Sequence, residues 1–95
     1  MNFTQDEINI FLKVFKNIKL CDSKIEINEF ICVEKKKINL RSLSSFVPVM
    51  GYSVELYLPS GIMNQIYECS NLIDAIKIMK NKQNELEIDS MIAEN

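Results

Sequence analysis

Near the start of the chain, Ile8, Phe11, Val14 (or Phe15) and Ile18 recur at intervals of three and four residues. That spacing places them on one face of a helix. Thr4 stands where an N-cap would, with Glu7 three residues on, the signature of a capping box. Phe3 and Ile8 flank the cap as the two halves of a hydrophobic staple. Lys13, Lys16 and Lys19 fall largely off the apolar face, and a helix is predicted over about 5–19.

Cys21, Asp22 and Ser23 break the pattern with turn formers. Lys24-Ile25-Glu26-Ile27 then alternates as a short strand does. Asn28 is a candidate cap for the segment 29–37, which admits two readings. Phe30, Ile31 and Val33 favour a strand by propensity. Phe30, Ile31 and Glu34 at helical spacing, with lysines at the end, favour a helix, and the helix is preferred. Asn39 can cap the next helix, whose apolar stripe is Leu40, Leu43, Phe46 and Val47. Pro48 ends or kinks it near Phe46, and Gly51 is the last stop.

Val54 to Leu58 alternates cleanly, Pro59-Ser60-Gly61 is a turn, and Ile62 to Cys69 reads as the returning strand. A three-residue loop sets Leu58 opposite Ile62, Leu56 opposite Asn64 and Val54 opposite Ile66. This register puts Tyr57, Met63 and Tyr67 on one face. Ser70 is the expected cap of a final helix with Leu72, Ile73, Ile76 and Met79 on its apolar side and Ala75 beside them. Residues 83–95 are a tail in which Leu86, Ile88, Met91 and Ile92 suit fraying or dimerisation.

Composition narrows the classes. The chain has 95 residues, room for one core and a single domain over 1–95. No run of apolar residues is long enough to span a membrane as a helix, and the acidic N-terminus is no signal peptide. Cys21, Cys32 and Cys69 make no paired framework, which points to a reducing, cytoplasmic setting. No metal, cofactor or catalytic residue is assigned. Zinc would need a carboxylate to join three scattered thiolates, because the chain has no histidine. The missing histidine, the two glycines and the absence of phosphate-loop or nucleophile-elbow motifs argue against an enzyme. The net charge of −2 excludes a histone-like, uniformly basic DNA coat and an acidic disordered tail. The one dense basic cluster is Lys35, Lys36, Lys37 and Arg41.

The resulting order is helix, short strand, helix, helix, β-hairpin, helix: a mainly helical α+β domain. It resembles the winged helix-turn-helix family over roughly residues 4–69. The resemblance implies binding of double-stranded DNA, with the third helix in the major groove and the hairpin as wing. Lys35, Lys36 and Lys37 would then lie in the turn, with Asn39, Arg41, Ser42, Ser44 and Ser45 on or beside the recognition helix. Arginine reads guanine, and lysine and serine suit phosphate oxygens. The wing tip at Pro59-Ser60-Gly61 departs from the family in carrying no basic residue. The implied role is a homodimeric transcription regulator, or an accessory factor in plasmid or phage DNA processing such as a relaxosome component in conjugation.

The rival expectation is a small protein-binding module: an antitoxin, an immunity protein or a phage-encoded inhibitor. Backbone conformation at Asn28–Lys37 separates the two. A helix there supports DNA binding, and a strand enlarges the sheet and favours the protein-binding module.

Overall fold

The computed structural model describes residues 2–42, 45–57 and 64–93, with side chains placed for 2–40, 45–57 and 64–86. Helix α1 (Gln5–Val14) is followed by five strands, β1 (Lys19–Cys21), β2 (Lys24–Glu26), β3 (Ile31–Ser42), β4 (Ser45–Leu56) and β5 (Gln65–Cys69), and then by helix α2 (Leu72–Ala93). The strands form one antiparallel sheet in the order β1-β2-β3-β4-β5, each paired with its neighbour in sequence.

The first helix starts as the capping box dictates. Glu7 N–H donates to Thr4 Oγ1 at 3.2 Å, and Thr4 N–H donates to Glu7 Oε1 at 2.8 Å. It ends earlier than the apolar spacing implies, because Phe15 takes extended angles. Phe15 is nonetheless buried, so the chain turns off the helix and keeps the ring in the core. Asp22 adopts positive φ in the turn between β1 and β2, a conformation that Asp tolerates better than most residues. Asn28 does act as a cap, but of a turn: its Oδ1 accepts from the N–H groups of Phe30 and Ile31 at 2.8 and 2.9 Å.

The central third corrects the expected fold. Residues 31–42 and 45–56 are two long strands, not a second helix and a recognition helix, and the molecule is mainly sheet. The winged helix-turn-helix arrangement is therefore overturned. Ile31 and Val33 send their side chains to one face, where each is fully buried, and that burial outweighs the local helical spacing. Pro48 is accommodated in β4 because β5 pairs only with Tyr52–Leu56, leaving the Pro48 stretch an edge that needs no further donor.

The β4–β5 register also differs by one residue from expectation. Val54 lies opposite Tyr67 and Leu56 opposite Gln65. A slip of one exchanges the two faces of a strand. Tyr67 thus joins the core side with Val54, and Tyr57 stands on the other side, near Cys32. Leu58, the Pro59-Ser60-Gly61 turn, Ile62 and Met63 lie outside the described residues.

Both helices cover one face of the sheet. Ile25, Ile31, Val33, Val54 and Leu56 from the strands meet Phe11 and Phe15 from the first helical region and Ala75, Ile76 and Met79 from α2. Asn71, not Ser70, caps α2: its Oδ1 accepts from Asp74 N–H at 2.9 Å. Ile73, expected on the apolar side, is exposed. Lys80 Nζ of α2 sits 5.7 Å from the ring centre of Phe15, the residue that follows α1. The backbone of the predicted tail is helical as far as Ala93. Among the described residues no helix is long and apolar enough to cross a membrane.

Candidate functional site

The outer edge of β3 is paired through β2 only as far as Glu34, after which Lys35 N–H donates to the Ser23 carbonyl at 3.0 Å. The outer edge of β4 is paired only from Tyr52 onward. Among the described strands, residues 36–42 and 45–51 therefore ladder only with each other, as a two-stranded ribbon running beyond the five-stranded body. An isolated two-stranded ribbon has marginal stability in water. This one also leaves Leu40, Phe46 and Val47 exposed, Phe46 to 70%.

Every residue of the expected DNA site falls on this ribbon or at its root, but not as one surface. Lys35 is at the root and half-buried. Its Nζ donates to Glu7 Oε1 at 2.7 Å, so its charge is neutralised within the molecule. Lys36 Nζ lies 3.9 Å from Glu34 Oε1 at the surface. Lys37, Asn39 and Ser45 are exposed. Arg41 and Ser42 belong to β3 by backbone, paired with Phe46 and Ser45, and their side chains lie outside the described residues, as does the whole of Ser44. Lys36 and Arg41 are an odd number of residues apart in one strand, so the two positions belong to opposite faces. A single cationic stripe on a recognition helix is thus replaced by a divided set on a strand.

The register defines both faces of the ribbon. On the side opposite the helices, Ile38 is directly across from Val49 and Leu40 from Val47. These two apolar pairs form a short ladder. On the helix side, Lys37 faces Met50, Asn39 faces Pro48, and Phe46 stands near the end. Sequence reasoning found the lysines and missed the ladder. The available signal was Ile38/Leu40 and Val47/Val49, alternating on either side of the serine-rich stretch 42–45.

The ribbon root is fastened by a polar cluster that sequence reasoning also missed. Glu7 accepts from Lys35 and from the Tyr52 hydroxyl while completing the cap of α1. Burial alone would raise the Glu7 pKa. The hydrogen bonds from Lys35, the Thr4 backbone, Tyr52 and the Thr4 hydroxyl overcome that and hold it at about 2. Burial and the neighbouring Glu7 push the Tyr52 phenol up to about 12. Phe3 stacks on Tyr52 with ring centres 6.1 Å apart.

Chemistry elsewhere is sparse. Cys32 and Cys69 are buried and Cys21 is exposed, and all three are free thiols. Burial raises the pKa of both buried thiols, helped by Glu55 at Cys32 and by Asp74 at Cys69. Among the described residues no group of three or more potential ligands is placed to hold a metal ion. Compared with protein-family models, with curated proteins and with solved structures, the chain matches none.

Proposed function

We propose that this chain is a small α+β protein-binding module, of the general kind that includes antitoxins, immunity proteins and phage-encoded inhibitors, and that it docks through the β3–β4 ribbon. The observation that carries this reading is the ribbon itself: among the described residues no further strand pairs with either of its edges, and Leu40, Phe46 and Val47 are exposed. Exposed apolar side chains beside open strand edges are the features by which one chain pairs with another. The extended backbone at Ile31–Lys37 supports the same choice, because the duplex-binding reading required a helix there. Three free cysteines, one of them exposed, suit a reducing compartment, and we place the protein in the cytoplasm.

Duplex DNA is the second reading. It draws support from residues 35–54, which hold four basic residues and no carboxylate. A two-stranded ribbon also fits the major groove. Against it stand the internal neutralisation of Lys35 and the division of the remaining cations between two faces.

The test compares wild type with the variant Phe46→Ser/Val47→Ser in affinity capture from the native host, alongside a low-salt shift assay on AT-rich duplex. The expected result is a protein partner captured by wild type and lost with the variant, and no duplex shift. Capture that ignores the ribbon variant overturns the reading. So does a duplex shift abolished by Lys36→Glu/Lys37→Glu/Arg41→Glu.

A further inference from the structure

The two edges of the ribbon are not equivalent, and the hydrogen bonds at its root show why. Lys35 N–H donates to the Ser23 carbonyl, and the Ile31 carbonyl accepts from Ile27 N–H. Both groups point from β3 toward β2. In an antiparallel ladder each residue turns its N–H and C=O to one side, and its two neighbours turn theirs to the other. The β3–β4 ladder is unbroken from Ile31 to Ser42. Lys37, Asn39 and Arg41 therefore present consecutive N–H and C=O groups along the open edge of β3, while Lys36, Ile38 and Leu40 bond to β4. By the same alternation Phe46, Pro48 and Met50 face the open edge of β4. Pro48 has no N–H to give, so that edge is interrupted at its centre. The edge able to take a further strand is that of β3.

The residues along this edge set the chemistry of the strand it takes. Lys37, Asn39 and Arg41 are positions of one face, the helix side, and Ile38 and Leu40 are positions of the other. Lys37 is exposed, and no carboxylate among the described residues pairs with it. Residues 35–54 contain no acidic residue. Lys37 and Arg41 stand four positions apart, roughly 13 Å along the strand. Carboxylates at the same spacing on an added antiparallel strand lie directly opposite both, a favourable cross-strand pairing. Apolar residues between those carboxylates come beside Leu40, which is exposed to 38%. The same geometry disfavours a second copy of this chain. Two β3 edges joined antiparallel about Asn39 set Lys37 of each against Arg41 of the other. Where β2 ends, Ser23, Lys35 and Lys37 line a hollow of about 400 Å³ that leaves room for the end of the added strand.

We infer that the β3 edge at Lys37–Arg41 takes an extended acidic segment of another protein as an added strand, with carboxylates four residues apart opposite Lys37 and Arg41. Backbone hydrogen bonds supply the affinity, and the two cationic positions supply the preference. This inference rests on the protein-binding reading of the ribbon and names the edge used and the kind of segment it takes.

Amide hydrogen exchange and chemical-shift titration of the full-length protein test it, with the end-capped peptide Thr-Glu-Val-Thr-Val-Glu-Thr as probe. In the free protein the Lys37, Asn39 and Arg41 amides should exchange faster than those of Ile38 and Leu40. With peptide at about 1 mM they should become protected, and binding should weaken as salt rises. Lys37→Glu should weaken binding about tenfold or more, and the peptide with lysine in place of glutamate should not bind. Asn39→Pro removes an N–H that the fold does not use, so circular dichroism should be unchanged while binding is lost. Methylating the backbone nitrogen of the peptide's central threonine removes the facing bond without touching the protein, and should also abolish binding. No binding at about 1 mM, equal binding of the lysine peptide, or protection along β4 instead of β3 overturns the inference. So does host capture lost with Phe46→Ser/Val47→Ser but kept with Asn39→Pro, which leaves the protein-binding reading standing. Capture that ignores both variants fails the protein-binding reading itself.

Discussion

Ile38 lies so close over Gly51 that a Cβ placed on the glycine would stand 2.5 Å from Ile38 Cδ1 and 2.6 Å from the Cys69 carbonyl oxygen. The contact locks the root of the ribbon to the end of β5. Ile38 is buried there although it belongs to the face that the helices do not cover.

Gly51→Ala is expected to destabilise the fold by about 1–3 kcal/mol, the usual cost of forcing atoms into a filled site. Adding Ile38→Ala should return only part of that loss, because the Cys69 carbonyl is backbone and cannot withdraw. Urea denaturation of the two variants measures both effects. Full tolerance of Gly51→Ala would show that β4 does not pass so near β5.

The Glu7 cluster makes stability depend on pH at both ends. Glu7 has a folded pKa of about 2 against an ordinary value of 4.5. Its contribution is complete above 4.5 and is lost as pH falls from there toward 2. Tyr52 has the opposite sign. Its folded pKa is about 12 against 10, so its contribution is complete below 10 and fades as pH rises toward 12. Glu7→Gln should remove much of the acid dependence and lower stability at neutral pH by about 1–3 kcal/mol, the scale of hydrogen bonds to a charged group. Tyr52→Phe should remove the alkaline dependence. Thermal unfolding across the pH range reads both.

Thiol labelling should separate the three cysteines. Cys21 is exposed and should react with a small alkylating reagent in the native protein, while Cys32 and Cys69 should react only on unfolding. Mass spectrometry of partly labelled protein identifies the site. Early labelling of Cys32 would contradict its burial beside Tyr57.

What the sequence makes legible is what depends on near neighbours. Thr4 and Glu7 announce the first helix, and they build its cap. The turn at Asp22–Ser23 and the apolar spacing of Leu72, Ile76 and Met79 are equally local, whereas Ile73 of the same expected stripe is exposed. The middle of the chain misleads for a definable reason. Leu40, Leu43, Phe46 and Val47 have helical spacing, yet Leu40 and Val47 are directly opposed partners across a hairpin. A separation of seven residues satisfies both geometries, and only the pairing of β3 with β4 decides between them. The run of three lysines further hides β3 by interrupting its apolar alternation. Lys35 illustrates the limit for the candidate site. Its charge is visible in the sequence, but its partner Glu7 is 28 positions away and belongs to another element. The location of the basic cluster was therefore readable, and its division between an internal ion pair and two strand faces was not.

The most direct test of the ribbon as a protein-docking surface is photo-crosslinking in the native host. A photoreactive phenylalanine analogue at position 46 samples the exposed end of the ribbon, and the same analogue at the exposed helix position Leu12 is the control. The account predicts discrete protein adducts at position 46 and none, or far fewer, at position 12. Equal adducts at both positions, no adduct at 46, or adducts to nucleic acid there would contradict it.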